Sequence, residues 1–376
     1  MKRISSLALA LVLIFSLASC SSGASTPSPS ATAAPVSAPV STPEAYDYVK
    51  IPFLKDYNQY RSTDEINVLY LVCTTRAEYF LNSYAVWEPA LKEHNINMDL
   101  VGPPEYSDES LINTLESSLA AKKYDLVLLY PITPAAITPM LDDIWETYHV
   151  PILAYAFAPS TGCGHYYIGT SYYSAGTVLG QSIVDYVDAN ADYFDTLDTI
   201  PVAVYKNSAG AEQYQRVVGA LDVLKADGRF SLIDEYEANG ESACLTATET
   251  LLTNHPEVEV ILTQIDNDVT GAYQAVTSGS YSPSDYLSIW GFDATGAVCA
   301  QMVQDGVDGY VQGSSLIDHE QACAALEEII PILVGAAKQG VKIEFKQDEI
   351  DTLGSLLAEY YVTVTPGNVS SYYKPN

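Results

Sequence analysis

From residue 66 onward, short apolar runs rich in β-branched residues alternate with longer stretches that have helical spacing. The predicted strands are INVLYLVC (66–73), INMDLV (96–101), DLVLLY (125–130), PILAY (151–155), PVAVY (201–205), SLIDEYE (231–237), VEVILT (258–263) and LSIWG (287–291). Between most of them lie predicted helices, such as the one in which Leu111, Leu115 and Leu119 share a face after the predicted N-cap Ser107. This alternation predicts an α/β fold with parallel sheets covered on both faces by helices. About ten such units are too many for one sheet of usual size, so we expect two similar α/β lobes.

The composition excludes several classes of protein. The 376 residues include 17 Lys and Arg against 47 Asp and Glu, which gives a formal net charge of −30, yet 48% of residues are hydrophobic. This apolar content is enough for large cores, so the acidity does not indicate disorder. Because a strongly negative surface repels phosphate backbones and anionic lipid headgroups, we expect neither nucleic-acid binding nor electrostatic docking to a membrane.

The N-terminus provides another route to a membrane. Lys2 and Arg3 precede the apolar run LALALVLIFSLA, which is too short to span a bilayer but typical of a signal peptide. The run ends at LASC (17–20), which resembles the bacterial lipobox, whose Cys is acylated and becomes the new N-terminus after cleavage. The alternative is an ordinary secretion signal. We therefore expect a lipoprotein signal peptide over residues 1–19 and lipidation at Cys20, which anchors the protein without help from surface charge.

The segment after the lipobox has the composition of a tether. Residues 21–45 are almost entirely Ser, Thr, Ala and Pro, which cannot form a core and which Pro keeps extended. The tether is predicted over residues 20–63. Residues 46–63 are more aromatic than the rest of it, and they either pack against the body or continue the tether. No later apolar segment reaches eighteen residues, so we expect a membrane-anchored body outside the cytoplasm, at the cell surface or in the periplasm.

Seven segments of the body share their order and spacing with a known family. They are CTTRAEYF (73–80), YDLVLLYPI (124–132), HVPILAY (149–155), YIGTSYYSAG (167–176), LLTNHPEVEVILTQIDNDVTGAYQAV (251–276), IWGFDATGAVCAQMVQDGVDGYVQGSS (289–315) and YYVTVTPGNV (360–369). Together they resemble the periplasmic sugar-binding proteins of the ribose/galactose type, which serve as substrate-binding proteins of bacterial ABC transporters.

The resemblance implies two Rossmann-like lobes joined by three crossings, the type I periplasmic binding protein fold. Placed on this chain, it predicts an N-terminal lobe over 64–168 plus 314–345 and a C-terminal lobe over 169–313 plus 346–370. It also implies a monomer that captures a small molecule between the lobes and presents the closed form to an ABC permease. The alternative is an extracellular sensor whose closed form engages a membrane receptor or kinase.

Sugar sites in this family combine aromatic rings, which stack on the sugar, with planar polar side chains that bind hydroxyl groups. Tyr79 and Phe80 match the aromatic pair that follows the first strand, and Asp293 matches the ligand-binding Asp. Asp266 matches a second Asp, which caps the following helix in an alternative interpretation. The Gln near the third crossing corresponds either to Gln312 or, if the alignment slips, to Ser314.

Elsewhere the chain departs from the family pattern. Phe157 stands in place of an Arg, Tyr214 in place of the second-lobe Arg, and Ala77 and Ile265 in place of Asn. None of the Arg residues of the mature chain matches a family Arg position in the cleft, so we expect no clamp for an anion. This favours a neutral or cationic ligand with a flat apolar face, such as a modified sugar, a nucleoside or an amine. The predicted aromatic contacts, which are core residues in the alternative interpretation, are Tyr79, Phe80, Tyr155, Phe157 and Tyr214.

No motif indicates a metal, a cofactor or catalysis. No two cysteines after Cys20 form a C-x-x-C motif, and no two histidines have the spacing of a metal-binding pair. The Asp266-Asn267-Asp268 run resembles the start of a calcium loop, but Thr277 stands where the bidentate Glu is required. A pair of glycosidase carboxylates could be present among so many acidic residues, but we expect a binding protein rather than an enzyme.

Overall fold

The computed structural model describes residues 45–156, 166–169, 171–208 and 211–373. The predicted lipidation residue Cys20, the predicted site residue Phe157 and Cys163 lie outside these ranges. Within the described ranges, no helix combines the length and the apolar character needed to cross a bilayer.

The strands form two separate sheets. Those of the first sheet are β1 (Ile66–Leu71), β2 (Ile96–Val101), β3 (Leu126–Leu129), β4 (Ile152–Ala156) and β5 (Tyr166–Gly169). Those of the second sheet are β6 (Ile200–Lys206), β7 (Phe230–Glu237), β8 (Val260–Leu262), β9 (Ser288–Phe292), β10 (Val311–Ile317) and β11 (Tyr361–Val364). The strand orders are β2-β1-β3-β4-β5 and β11-β10-β9-β8-β6-β7, and every pair is parallel except β10 with β11. The predicted α/β fold with two mainly parallel sheets is confirmed.

Helices flank both sheets. They are α1 (Glu78–Lys92), α2 (Asp108–Ala121), α3 (Pro134–Tyr148), α4 (Tyr172–Ala189), α5 (Ala191–Phe194), α6 (Ala211–Asp227), α7 (Glu241–Asn254), α8 (Asp266–Val276), α9 (Gly296–Asp305), α10 (His319–Lys338) and α11 (Gln347–Leu356). Short 3-10 helices lie at Pro52–Tyr60, Gly306–Asp308, Leu357–Tyr360 and Val369–Ser371. The hydroxyl oxygen of Ser107 accepts a hydrogen bond from the amide of Ser110, and Leu111, Leu115 and Leu119 are buried, so the predicted cap and apolar face of α2 are confirmed.

The chain crosses between the lobes three times, between β5 and α4, between β10 and α10, and between α11 and β11. The apolar face of α10 packs in the first-lobe core together with strand residues such as Leu126 and Leu153. The predicted boundary at residue 345 placed α11 in the second lobe. In the structure, Leu353 and Leu356 of α11 join the first-lobe core instead, since α11 packs against β5.

Of the two alternatives for residues 46–63, packing against the body is the one observed. Tyr48, Ile51 and Leu54 are buried in the first-lobe core. The buried carboxylate of Glu328 in α10 accepts three backbone N–H bonds at 2.6–2.8 Å, from the successive residues Val49, Lys50 and Ile51. Because a carboxylate bonded to several backbone amides is a strong, charge-assisted acceptor, this contact fixes the segment on α10.

Candidate functional site

The carboxyl ends of two strands carry unusual backbone conformations. Ala156, the last residue of β4, has a φ of 71°, and Asp293 and Ala294, which follow β9, have φ values of 99° and 44°. Positive φ is costly for residues that have a Cβ, and such residues persist where the surrounding structure holds them in place, often at functional sites. In parallel α/β sheets, ligands bind at this edge.

An aromatic wall, formed by Tyr79, Phe80, Tyr130 and Tyr155, lies on the first-lobe side of this edge. The hydroxyl groups of Tyr79 and Tyr155 are hydrogen-bonded at 3.0 Å, and the rings of Phe80 and Tyr130 meet edge to face with 4.7 Å between centroids. Phe80 and Tyr155 are buried, whereas Tyr79 is half-buried. Tyr79 is therefore the wall member with the larger exposed face among the residues predicted from the sequence.

The wall touches the second lobe through Tyr172, the first residue of α4. The hydroxyl groups of Tyr130 and Tyr172 are 3.0 Å apart. Burial raises the pKa of both phenols above its usual value. These phenols stay neutral at physiological pH, so each can donate a hydrogen bond as well as accept one.

An ion pair lies on the second-lobe side of the same cleft. Nη2 of Arg216 lies 3.0 Å from Oδ1 of Asp293, and the Arg216 side chain is only 9% exposed. The guanidinium carbon of Arg216 lies 4.7 Å from the ring centroid of Tyr172 and 5.2 Å from that of Phe292. Nε of Arg216 has no hydrogen-bond partner among the described residues. The pair therefore combines stacked, charged and hydrogen-bonding groups in one place.

Two glycines allow Arg216 to reach this position. A Cβ at Gly176 in α4 would collide with the carbonyl oxygen of Arg216, and a Cβ at Gly219 in α6 would collide with the carbonyl oxygen of Tyr173. The two helices can therefore approach closely only because both residues lack a side chain. This approach brings the guanidinium of Arg216, on α6, over the ring of Tyr172, on α4.

Asp266, the first residue of α8, supports the loop that carries Asp293. Its Oδ1 accepts a bond of 2.7 Å from the Ser314 hydroxyl, and its Oδ2 accepts one of 2.6 Å from the backbone amide of Thr295. Burial, together with the negative charge of Asp293, raises the pKa of Asp266 to about 8. Both carboxyl oxygens are used within the protein, which is the arrangement of a positioning residue.

A second hydrogen bond between the lobes involves Glu78. Oε1 of Glu78, in the first turn of α1, accepts a bond of 2.8 Å from the backbone amide of Gly296, the first residue of α9. The N-terminus of a helix carries a partial positive charge, so a carboxylate is favourable there. This contact therefore stabilises the arrangement in which the two lobes meet.

His319 lies beneath the aromatic wall, at the start of α10. Its ring centroid is 5.5 Å from that of Tyr79, and neither ring nitrogen has a hydrogen-bond partner among the described residues. Burial lowers the pKa of His319 to about 4. The imidazole is therefore neutral at physiological pH.

The remaining predicted residues occupy different surroundings. Tyr214 is half-buried and packs against the second-lobe core, with Nζ of Lys206 at 5.8 Å from its ring centroid. Gln312 lies near the amino end of β10, where its amide donates to the carbonyls of Val307 and Gly309. Gln312 is thus held at the opposite end of the sheet from Asp293. Ser314, the alternative to Gln312, is bonded to Asp266 as described above.

The structure corrects the expectation that no Arg lies in the cleft. The sequence pattern placed Tyr214 at the family Arg position, but Arg216, two residues later on α6, is the residue whose guanidinium lies beside Asp293. The reason is the close crossing of α4 and α6 at their glycines, which is a tertiary contact. In the sequence, the only sign of this crossing is a glycine in each of the two predicted helices, Gly176 and Gly219. Those glycines indicate a close helix pair only once the two helices are known to be neighbours.

The chain matches the family model described as a periplasmic binding protein domain over residues 68–329. The arabinose binding protein AraP from Geobacillus stearothermophilus aligns with a TM-score of 0.66 at 17% identity, covering 83% of this chain and 100% of that chain. For an ABC transporter solute binding protein from Actinobacillus succinogenes with bound D-allose, the TM-score is 0.63 at 19% identity, with 82% and 100% covered. The Caulobacter myo-inositol binding protein bound to myo-inositol aligns with a TM-score of 0.59 at 19% identity, covering 83% of this chain and 97% of that chain. A comparison with curated proteins gives no match.

At these identities the solved structures share the fold with this chain. The family match is broader evidence, since residues 68–329 include nearly all of the first sheet, five strands of the second sheet, the aromatic wall and the Arg216–Asp293 pair. The chain therefore belongs to the periplasmic binding protein domain family.

Proposed function

We propose that this protein is a solute-binding protein that captures a small, neutral, sugar-like molecule between its lobes for an ABC importer. The observation that carries the proposal is the pairing of an aromatic wall on one side of the cleft with the buried Arg216–Asp293 pair on the other. Aromatic faces stack on the apolar face of a sugar ring, and planar charged groups bind adjacent hydroxyls. The solved structures of similar fold include proteins with bound D-allose and myo-inositol, which supports a polyhydroxylated ligand.

The charge of the site favours a neutral ligand. Arg216 is already paired with Asp293, so its positive charge is offset within the protein, and an anionic ligand would have to compete with Asp293 for it. The pair still offers donors from the guanidinium and acceptors from the carboxylate, which is what a diol requires. Nucleosides and amines, the other candidates from the sequence, belong in the test as members of the ligand panel.

Closure gives the importer a state to recognise. Tyr130 with Tyr172 and Glu78 with Gly296 form hydrogen bonds between the lobes, so these contacts exist only when the lobes are together. A ligand that contacts both lobes shifts the population toward that state. We infer that the closed form is the one delivered to the permease.

The direct test is calorimetry of the full-length protein with D-allose, L-arabinose, D-ribose and myo-inositol, followed by nucleosides and amines. Tyr79→Ala and Asp293→Ala should each weaken the binding of the best ligand by at least about 1 kcal/mol, because each removes a cleft contact. Asp198→Ala, on an exposed loop of the second lobe, is the matched control and should leave affinity unchanged. Unchanged affinity in both cleft variants would exclude this cleft as the site.

We also propose that Cys20 carries the lipid anchor, which the LASC (17–20) motif supports. Cys20→Ser should release the protein from the membrane fraction, since the acyl chains are then missing. Fractionation of cells followed by immunoblotting measures this, with Cys73→Ser, a buried cysteine of the body, as the control. Retention of the Cys20 variant in the membrane fraction would contradict the anchor.

A further inference from the structure

A second cavity lies in the second lobe, away from the cleft. Its volume is about 700 Å³, and it opens at the amino ends of β9 and β10, next to Tyr286 and Tyr310. Asp293 follows the carboxyl end of β9, so the two sites lie at opposite ends of that strand. All lining residues fall between Tyr186 and Tyr310, within the second lobe.

Three helices end at this cavity. Asn190 follows the last residue of α4, Thr277 follows the last residue of α8, and Asp305 is the last residue of α9. In a parallel α/β layer, helices run opposite to the strands, so their C-termini collect where the strands begin. Each helix C-terminus carries a partial negative charge, which favours cations.

Three carboxylates add to this negative field. Asp285, Asp305 and Asp308 line the cavity, and its described lining contains neither Lys nor Arg. Asp305 is the last residue of α9, where the helix dipole makes a carboxylate unfavourable unless a cation is near. Oδ2 of Asp305 accepts hydrogen bonds from the Tyr273 hydroxyl at 2.8 Å and from the Gln301 amide at 2.7 Å, so its position is fixed.

Aromatic rings complete the lining. They belong to Tyr186, Tyr273, Tyr286 and Tyr310. The ring of Tyr286 is stacked on that of Tyr193, with 4.1 Å between centroids and 10° between planes. This stacking fixes the orientation of the Tyr286 ring before any ligand arrives, and the face of a tyrosine ring attracts cations.

A buried carboxylate lies behind these rings. The hydroxyl of Tyr193 donates to Oε1 of Glu259 at 2.5 Å, and Glu259 is only 4% exposed. Its Oε2 has no hydrogen-bond partner among the described residues. Glu259 does not itself line the cavity, but its bond to Tyr193 holds the ring on which Tyr286 is stacked.

We propose that this cavity binds a small organic cation of the alkylammonium class, including quaternary ammonium compounds. The rings and helix C-termini stabilise the charge without requiring a hydrogen-bond donor on the ligand. Because one lobe supplies the whole lining, binding there does not depend on opening or closure of the cleft.

The probe is choline, and its matched control is 3,3-dimethylbutan-1-ol, which has the same shape without the charge. Calorimetry of the full-length protein should show choline binding about tenfold more tightly than the neutral alcohol. The Asp285→Asn and Asp308→Asn double variant should lower choline affinity about fivefold. These two side chains are exposed and hold no other group among the described residues, so folding should be unaffected, which circular dichroism verifies.

A cleft variant separates this site from the proposed sugar site. Asp293→Ala should leave choline affinity unchanged, whereas the double variant should leave sugar affinity unchanged. Equal affinity for choline and the neutral alcohol, or no choline binding at all, would overturn the proposal. So would choline binding that is lost in Asp293→Ala but kept in the double variant.

Discussion

The two ends of the second-lobe sheet carry the same residue type in opposite electrostatic surroundings. At the carboxyl end, Asp293 is paired with Arg216, and the N-termini of α8 and α9 lie nearby. At the amino end, Asp285 and Asp308 have no cationic partner among the described residues, and helix C-termini meet there. An α/β layer thus creates two kinds of charged site from helix direction alone, and side chains decide which end is compensated.

The largest expected loss of stability comes from removing the positive charge of Arg216, which compensates Asp293. Arg216→Ala leaves Asp293 without its partner in a largely buried position and should reduce the free energy of unfolding by about 3 kcal/mol. Arg229→Ala, which breaks exposed pairs with Asp188 and Asp227, should cost at most about 1 kcal/mol. Urea unfolding measures both values. If Arg216→Ala and Arg229→Ala lowered the free energy of unfolding equally, the Arg216–Asp293 pair would contribute no more to stability than an exposed pair.

A smaller effect should follow from displacing Arg216 without removing it. In Gly176→Ala the new Cβ collides with the Arg216 carbonyl oxygen, which should cost about 2 kcal/mol of stability and weaken sugar binding. Gly354→Ala is the control, because the nearest atoms to its Cβ are those of the Tyr167 ring at 3.7 Å. If both variants were equally stable, the close helix crossing would not be what positions Arg216.

The pH dependence of stability tests Asp266, the second carboxyl group at the end of the sheet that carries the Arg216–Asp293 pair. The pKa of Asp266 is about 8 in the folded protein, against 3.8 for an ordinary Asp. Between these values the folded state binds the proton and the unfolded state does not, so this group's contribution to stability falls as pH rises. Asp266→Asn should therefore reduce the loss of stability between pH 5 and pH 8 by more than about 1 kcal/mol. Urea unfolding at several pH values measures the slopes, and identical slopes would contradict the burial of an ionisable Asp266.

The smallest expected effect concerns the contact between the lobes. Glu78→Gln keeps the hydrogen-bond acceptor for Gly296 but removes the charge from the N-terminus of α9, so the ratio of closed to open protein should fall about threefold. Small-angle scattering of the ligand-free protein measures this ratio. Glu109→Gln, in the first turn of α2, is the control. If the unmodified protein, Glu78→Gln and Glu109→Gln all had the same closed fraction, the charge of Glu78 would not favour closure.

Most of the fold could be predicted from local patterns. All eight predicted strands are present within a few residues. Most are short apolar runs typical of buried parallel strands, whereas β7 lies at the edge of its sheet and has no fully buried residue. The residues of β10 contain Gly313, Ser314 and Ser315, which interrupt the apolar pattern, so that strand was recognised only as part of the family resemblance. The contact of α11 with β5 depends on a chain crossing, which periodicity does not reveal.

The candidate site was less predictable than the fold. Tyr79, Phe80 and Asp293 were proposed because they match family positions, and Tyr155 as an aromatic residue near the end of a predicted strand; their contact with a ligand stays a prediction. Arg216 could not be predicted in this way, because its role depends on the approach of two helices at their glycines. The contact of Glu78 with Gly296 joins residues that are far apart in the chain, so it too follows only from the tertiary structure.

The hold of Glu328 on residues 49–51 has a mechanical consequence. Force applied to the chain ahead of these residues passes into α10, and α10 is part of the first-lobe core. If the protein is tethered through Cys20, a pull along the tether therefore acts on the first lobe before it reaches the second.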